Sequence, residues 1–302
     1  SGHSFPTRRS SDLLKLLRIV LMMFLISSMI LPSASAQKKE DKKAEPKQEK
    51  VEKKDEEKAA EKPAEPKVKI PSSVLNIAKE NTYPNPTQDL PYLQPSELTA
   101  ELIETSNVKI ENPNLIRMFN ESSMNKSPFA LGMRATIYMG EWPLNYESTE
   151  TAPNWEYQKI NTNYYDNRGG NQNYQIHYVQ EAQKTIKGGL TAKVPHSDDV
   201  QKMMLLKAME NSDLPLSFQT IVGAGTKKDH VYNIAPKRLG YLYGYAPAVN
   251  EKGKVTYGEV YLVMKGSKRS IVVKNVTSQG IGAWIPVQDH VSFGFVTADK
   301  PR

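Results

Sequence analysis

The sequence predicts an α+β fold, mainly antiparallel β-sheet with a few short helices, preceded by a signal peptide and a disordered linker. The first observation is that segments rich in β-branched and aromatic residues, such as MRATIYMGEW and VTYGEVYLVM, follow one another from Met133 onward. The second is that the connections 250–254 (NEKGK) and 265–269 (KGSKR) are short and contain Gly, which fits antiparallel hairpins. Successive strands joined by such turns favour a single α+β domain over residues 70–302.

Helix-start signals interrupt the β-rich segments at a few places. Capping and apolar patterns predict short helices over 71–78, 96–105 and 113–119, the second capped by Ser96 and the third starting at Pro113. A longer helix is predicted after Ser197, with Asp198 and Asp199 in its first turn. Residues 167–171, around two glycines, are predicted to form a turn between two strands.

Residues 14–36 have the order of a secretory signal peptide: basic residues, an apolar run and the small-residue ending Ala-Ser-Ala. Cleavage is expected between Ala36 and Gln37. The apolar run of about 13 residues is shorter than the roughly 20 that a membrane-spanning helix needs, and an uncleaved anchor is the alternative. Residues 4–13 match the translation of a common sequencing adapter, so residues 1–13 are interpreted as an artefact, which also explains the twin arginines Arg8 and Arg9.

Residues 37–69 form a Lys/Glu/Ala/Pro tract with almost no large apolar side chains, which predicts a disordered linker. The following 70–302 carry 24 basic and 22 acidic residues, so the predicted domain lacks the basic surplus of a nucleic-acid binder. The chain has no cysteine, which excludes disulfides, thiolate metal sites and cysteine nucleophiles. Exported proteins of Gram-positive bacteria often have this composition.

One pattern could support nucleophilic catalysis. Ser123 and Lys126 fit S-x-x-K, Tyr165-Asp166-Asn167 fits Y-x-N, and Lys265-Gly266-Ser267 resembles a K-[ST]-G variant. In this order they resemble the three elements of penicillin-recognising serine enzymes, where the lysine assists deprotonation of the serine. The inverted Gly-Ser order and the predicted hairpin position of the third element weigh against this alternative, an envelope acyl transferase or hydrolase.

Metal and carboxylate chemistry have weaker support in the sequence. His177, His196, His230 and His290 are scattered, without the close pairing of metal motifs, so no metal site and no cofactor are predicted. Four acidic residues lie among aromatic residues, where burial could shift a pKa, although solvated carboxylates explain them more simply: Glu141, Glu147, Glu156 and Asp166.

The segment 142–178 is the most distinctive in composition because Trp, Tyr and Asn dominate it. These residues supply flat apolar faces and adaptable hydrogen bonds, as binding surfaces for sugars or peptides do. The predicted contact residues are Trp142, Trp155, Tyr164, Tyr165 and Asn167. Half-buried sheet residues are the simpler interpretation of the same tyrosines.

Three segments carry a resemblance to a known family: SSVLNIAKENTYPNPTQDLP from Ser72, NWEYQKINTNYYDNRGG from Asn154 and NVTSQGIGAWIPVQDHVSFGF from Asn275. Through them the chain resembles the YfkD-like family of Bacillus and relatives. The resemblance implies an exported protein and supplies no catalytic residues. The hypothesis is a secreted or cell-wall-associated, non-enzymatic binding or structural module. Its expected partner is a wall polymer or an envelope protein, with no nucleic-acid partner and with membrane contact only if the signal segment is retained. A purely structural or stress-related wall protein is an alternative that the sequence does not separate from a binding module.

Overall fold

The computed structural model describes residues 67–87, 94–122, 132 and 134–301, all in the second of two compact units, Lys62–Arg302. The three helices of these ranges are α1 (Glu97–Glu104), α2 (Pro113–Glu121) and α3 (Ser197–Ser212). The strands are β1 (Val74–Asn76), β2 (Arg134–Asp166), β3 (Tyr174–Val179), β4 (Lys184–Lys187), β5 (Gly189–Leu190), β6 (Gln219–Val222), β7 (Lys227–Ile234), β8 (Leu239–Lys265), β9 (Lys268–Pro286) and β10 (His290–Ala298).

The long strand β8 is the centre of the molecule. It pairs antiparallel with β2 along its whole length, and its other edge pairs first with β10 and then with β9. β1 continues the sheet beyond β10, and β5 pairs with the end of β9. Two further antiparallel pairs, β3–β7 and β4–β6, complete the described β structure. The predicted mainly antiparallel α+β fold is confirmed.

The predicted hairpin at 250–254 is wrong, because these residues lie inside β8. Lys252 pairs with Glu150 on one side and with Gly282 on the other, so the chain runs straight through. Gly253 serves close packing there: a Cβ on it would lie 2.1 Å from the carbonyl oxygen of Glu147 and 2.5 Å from the hydroxyl of Tyr146. A glycine that lets two chains approach was interpreted as a turn residue.

The predicted helix at 71–78 is also wrong, because residues 74–76 form β1. Pairing with β10 supplies Val74 and its neighbours with partners that an isolated helical turn lacks, and Ile77 becomes fully buried. The backbone N–H of Phe293 also donates to the carbonyl of Ser73 at 2.9 Å. Tertiary pairing therefore overrides the local capping signal.

The other local predictions are close to the structure. Ser96 caps α1 through the backbone N–H of Thr99, and Pro113 opens α2. The cap of α3 is His196, one residue before the predicted Ser197, with a left-handed φ of 51° and no side-chain cap bond. Residues 265–268 form the β8–β9 hairpin, with Gly266 at φ 60°. The turn at 167–171 follows β2, although β3 pairs with β7 and not with β2.

Three apolar clusters form the core, each on a different stretch of the β2–β8 ribbon. Near residue 242, one face of β8 packs against the two small strand pairs and β10. Around residue 255, α3 covers the sheet, and near residue 262 the helices α1 and α2 do so. Each stretch therefore buries one face and leaves the other outside these clusters.

A buried polar network lies in the middle of the ribbon. Glu251 is fully buried, and its carboxylate accepts hydrogen bonds from the hydroxyls of Tyr146 at 2.9 Å and Thr151 at 2.6 Å. The amide of Asn211 on α3 donates to Thr151 at 3.1 Å. Because a buried carboxylate without donors is costly, these hydroxyls fix β2, β8 and α3 in register.

Candidate functional site

Four tyrosines form a continuous row across one face of the ribbon, and we call Tyr164, Tyr241, Tyr243 and Tyr245 the tyrosine row. The last three alternate along β8, so their side chains share a face. Their ring centroids are 6.2 Å and 6.3 Å apart in succession. Tyr164 lies directly opposite Tyr241 on β2, with the ring centroids 5.0 Å apart.

The face that carries the row lies outside the three apolar clusters. None of these clusters includes a residue of the row, whereas Leu242 and Ala246 point into the core from the opposite face. Tyr164 is 49% exposed and Tyr243 and Tyr245 are partly exposed, while Tyr241 is buried between its neighbours. The result is a line of tilted aromatic rings that are exposed to different degrees.

Gly294 on β10 lies beside the row and adds no side chain to it. Gly294 pairs with Tyr243, and the place where its Cβ would stand is 3.6 Å from a ring carbon of Tyr245. The Tyr245 ring therefore leans across the neighbouring strand without a side chain in its way. This arrangement presents the rings as a surface and not as isolated side chains.

Charged groups border the row. The Nζ of Lys159 lies 4.3 Å from the centre of the Tyr243 ring, a cation–π contact. Beside Tyr164, Arg168 and Asp166 form an ion pair at 2.7 Å. The hydrogen bonds from Arg168 lower the pKa of the Asp166 carboxyl to about 2. The row thus has a lysine over the Tyr243 ring and an ion pair beside Tyr164.

Two hydroxyls of the row, those of Tyr164 and Tyr245, stay protonated at neutral pH. Burial, with help from Asp166, raises the pKa of Tyr164, and burial together with Glu156 raises the pKa of Tyr245. Each of these two hydroxyls can therefore donate and accept a hydrogen bond at the rim of an apolar ring. Stacking and hydrogen bonding are what this surface can offer a ligand.

The predicted contact residues do not form one surface. Tyr164 belongs to the row, but its neighbour Tyr165 points to the opposite face, where it stacks on Tyr174 with the centroids 3.4 Å apart. Asn167 is buried and donates to the carbonyls of Gln172 and Ile234, so it closes the turn after β2. These two residues have structural partners of their own.

The two predicted tryptophans lie elsewhere. Trp155 packs against the cluster beneath α3. Trp142, near the other end of β2, donates from its indole nitrogen to the carbonyl of Met139 at 2.8 Å and stacks on His196 at 5.5 Å. A cleft of about 650 Å³ adjoins this stack. The indole ring and the indole N–H of Trp142, which were predicted to contact a ligand, already have His196 and Met139 as partners.

The catalytic alternative is only partly within the described residues. Ser123 and Lys126 lie outside them. Of the other two elements, Asp166 pairs with Leu239 and Lys265 pairs with Arg134, so they occupy opposite ends of the β2–β8 ribbon. They cannot meet at one serine. Among the described residues no three His, Asp or Glu side chains are grouped so that they could hold a metal ion.

Sequence reasoning missed three of the four tyrosines of the row. The segment LGYLYGYAPAV places Tyr241, Tyr243 and Tyr245 at alternate positions, and this spacing alone puts them on one face of a strand. The signal was present, but it was interpreted only as a strand.

A second tyrosine contact provides an internal reference at the other end of the ribbon. Tyr138 and Tyr261, which we call the tyrosine pair, lie opposite each other with centroids 5.2 Å apart. Lys274 lies over Tyr261 at 4.8 Å, and the Tyr261 hydroxyl donates to Glu259 at 2.7 Å.

No helix of the described ranges is long and apolar enough to cross a membrane.

Comparison with known proteins agrees with the resemblance found in the sequence. The family model described as YfkD-like protein matches residues 71–302. The chain is 64% identical over 234 residues to "Uncharacterized protein YfkD" of Bacillus subtilis (strain 168), an alignment that covers 78% of this chain and 89% of that protein. Neither name specifies an activity or a ligand. The chain belongs to the YfkD-like family.

Proposed function

We propose that the protein is an exported, non-enzymatic binding module of the cell envelope, and that the tyrosine row stacks on a glycan of the wall. The single observation that carries this proposal is the row itself: four tyrosines, three of them at least partly exposed, with ring spacings of 5.0–6.3 Å on a sheet face outside the three apolar clusters. Export rests on the signal-peptide pattern of residues 14–36.

The chemistry of the row favours a sugar over an apolar partner. Tyrosine combines a flat apolar face with a polar rim, and sugar rings combine apolar C–H faces with hydroxyls. An apolar helix would require a continuous groove, whereas the row is a line of tilted, partly exposed rings that carry hydroxyls. Lys159 and Arg168 at its border can in addition contact an anionic substituent of a wall glycan.

Binding is tested by sedimentation of the mature chain, from Gln37, with purified Bacillus subtilis peptidoglycan stripped of anionic polymers. The wild-type chain should sediment with the glycan, and Tyr243→Ala should weaken binding about tenfold, the equivalent of 1.4 kcal/mol. Tyr138→Ala, which removes a tyrosine of the tyrosine pair, is the matched control and should bind like the wild type. Equal binding by both variants, or equal loss, would contradict the proposed site.

Export is tested separately by fractionating the native bacterium and measuring the intact mass of the protein. A species that begins at Gln37 in the wall or medium fraction is the expected result. A membrane-bound species that retains residues 14–36 would mean that this stretch is an anchor, and the binding surface would then face the wall from the membrane.

A further inference from the structure

The outer edge of β9 has two occupied ends and an open middle. At one end the side chain of Asn107 bonds both backbone groups of Val273, accepting from its N–H at 2.9 Å and donating to its carbonyl at 3.2 Å. At the other end Thr191 donates its backbone N–H to the carbonyl of Gly282 at 2.8 Å, next to the pairing of β5. The amide side chain of Asn107 and the segment of Thr191 next to β5 thus satisfy the outward backbone groups of β9, as a full-length neighbouring strand would.

The backbone groups between these ends follow from the register. Pairing of β9 with β8 runs without a shift from Pro286 to Thr277, so outward-pointing residues alternate. Since Gly282 points its N–H and carbonyl outward, Gly280 and Ser278 do the same. No described residue bonds these outward groups. All seven residues from Lys274 to Gly280 are exposed.

Between the bulge at residues 275–276 and Gly282, this edge lacks the features by which proteins block strand edges. The edge strand β2 has register shifts at several bulges, Pro153, and the acidic residues Glu147 and Glu150. In β9 the register shift against β8 lies between Lys274 and Thr277, where Asn275 has a left-handed φ of 50°. By contrast, residues 277–280 (TSQG) are exposed, pair with β8 without a shift, and contain no charge and no proline. An uncharged, exposed edge of this kind is a template for pairing with another extended chain.

We propose that residues 277–280 are a slot for one extended, uncharged peptide strand, which adds to the sheet between Asn107 and Thr191 through backbone hydrogen bonds. The slot is independent of the tyrosine row, which lies on a different part of the ribbon.

The occupied ends favour a single peptide over a second copy of this chain. If two copies paired antiparallel around Ser278, Val273 of one would face residue 283 of the other. The segment that carries Asn107 and the strand β5 would then compete for the same space, because each already occupies the edge at its position. A single extended strand meets neither obstacle.

The test is an NMR titration of the ¹⁵N-labelled mature chain with the peptide Glu-Val-Thr-Val-Thr-Val-Glu, acetylated and amidated, whose glutamates provide solubility. The amides of Ser278 and Gly280 should shift and become protected from hydrogen exchange. Ser278→Pro removes an outward N–H without removing a bond of the β8 ladder, and it should weaken binding at least tenfold. Gln279→Ala, whose backbone points inward, should bind like the wild type.

A second probe keeps the test independent of the folding of the proline variant. The same peptide with N-methylated central residues cannot donate to the slot and should leave the spectrum of the wild type unchanged. Absence of shifts at millimolar peptide, shifts outside 273–282, or binding of the methylated peptide would each overturn the proposal. A concentration-dependent dimer in sedimentation that Ser278→Pro abolishes would assign the edge to self-pairing and would also overturn it. Tyr243→Ala should keep the peptide response.

Discussion

The two ends of the β2–β8 ribbon begin alike and end differently. Tyr164–Tyr241 at one end and Tyr138–Tyr261 at the other are cross-strand contacts with centroids 5.0 Å and 5.2 Å apart and tilts of 40° and 43°. Each end also has a lysine over a tyrosine ring, at 4.3 Å and 4.8 Å. Only the first contact continues along β8 into a row.

The difference shows that a cross-strand tyrosine contact extends into a binding surface only where the same strand carries further tyrosines at alternate positions. At the row end, alternate residues of β8 are tyrosines, and Gly294 on the next strand places no side chain against the Tyr245 ring. At the pair end, Tyr261 is followed at alternate positions by Val263, and its hydroxyl is engaged by Glu259. The pair end is therefore a natural control for the row end.

The largest expected effect separates the two ends by binding. Tyr164 and Tyr243 both contact Tyr241, so their contributions are coupled. The double variant Tyr164→Ala/Tyr243→Ala should therefore weaken sedimentation with peptidoglycan by more than the tenfold of Tyr243→Ala alone, up to about the 100-fold that two independent contributions of about 1.4 kcal/mol would give. The double variant Tyr138→Ala/Tyr261→Ala should leave binding unchanged. Comparable losses of binding at both ends would indicate that any exposed tyrosine contributes to glycan binding wherever it lies, contrary to the account.

The second expected effect is on the free energy of unfolding, and it should leave the difference in glycan binding between the two ends unchanged. Tyr146→Phe removes one of the two hydroxyl donors to the buried carboxylate of Glu251 and should lower the free energy of unfolding by about 1–3 kcal/mol. Chemical denaturation measures this loss. Glycan binding by the folded variant should stay at the wild-type level, since the network lies between the ends; a binding loss as large as that of Tyr243→Ala would show that the row depends on the centre of the ribbon.

The carboxylates at the two ends should respond differently to substitution. Asp166 owes its pKa of about 2 chiefly to Arg168, so Arg168→Gln should raise the pKa toward the ordinary value of 3.8. At the pair end, hydrogen bonds from Tyr261 and Asn275 lower the pKa of Glu259, and Tyr261→Phe should raise it. NMR titration of the carboxyl carbons checks both directions, and an unchanged Asp166 titration in Arg168→Gln would remove the assigned cause.

The sign of the pH dependence follows from the same shift. The folded-state pKa of Asp166 lies below its unfolded value. The contribution of the ion pair to folding stability is therefore fully present above the ordinary carboxyl range, and it is lost as pH falls through about 2. Glycan binding should therefore show no change attributable to this pair between pH 5 and pH 8. A transition in that window would require another group.

The smallest expected effects come from the two lysines. Lys159→Ala removes the ammonium over Tyr243 and its contact with an anionic substituent of the glycan, so it should weaken glycan binding by about two- to fivefold, the equivalent of about 0.4–1 kcal/mol. Lys274→Ala removes the equivalent contact at the pair end and should have no effect on binding. Equal effects of both substitutions would point to general charge attraction and not to the row.

The sequence predicts well those elements that are set by local chemistry. The cap of α1 at Ser96, the proline start of α2 and the hairpin at 265–268 follow from residues within a few positions. The uninterrupted course of β8 could not be predicted in this way. Gly253 has the composition of a turn residue, and only the approach of Tyr146 from another strand explains it.

The candidate site shows the same limit. Alternation places Tyr164 and Tyr165 on opposite faces, but the sequence does not say which face is covered, because the covering strands β3 and β7 come later in the chain. For the same reason Asn167 resembled a binding residue, whereas its partners are carbonyls as distant in sequence as Ile234. The period-two tyrosines of β8 were readable without the fold, and their exposure was not.

The most direct test of the account is an NMR map of the mature chain with solubilised peptidoglycan glycan strands. The account predicts that the amides of 240–246 and of Tyr164 shift in a saturable way, while those of Tyr138 and Tyr261 do not. Saturable shifts centred on the pair end, or none at either end, would contradict the assignment of glycan binding to the tyrosine row.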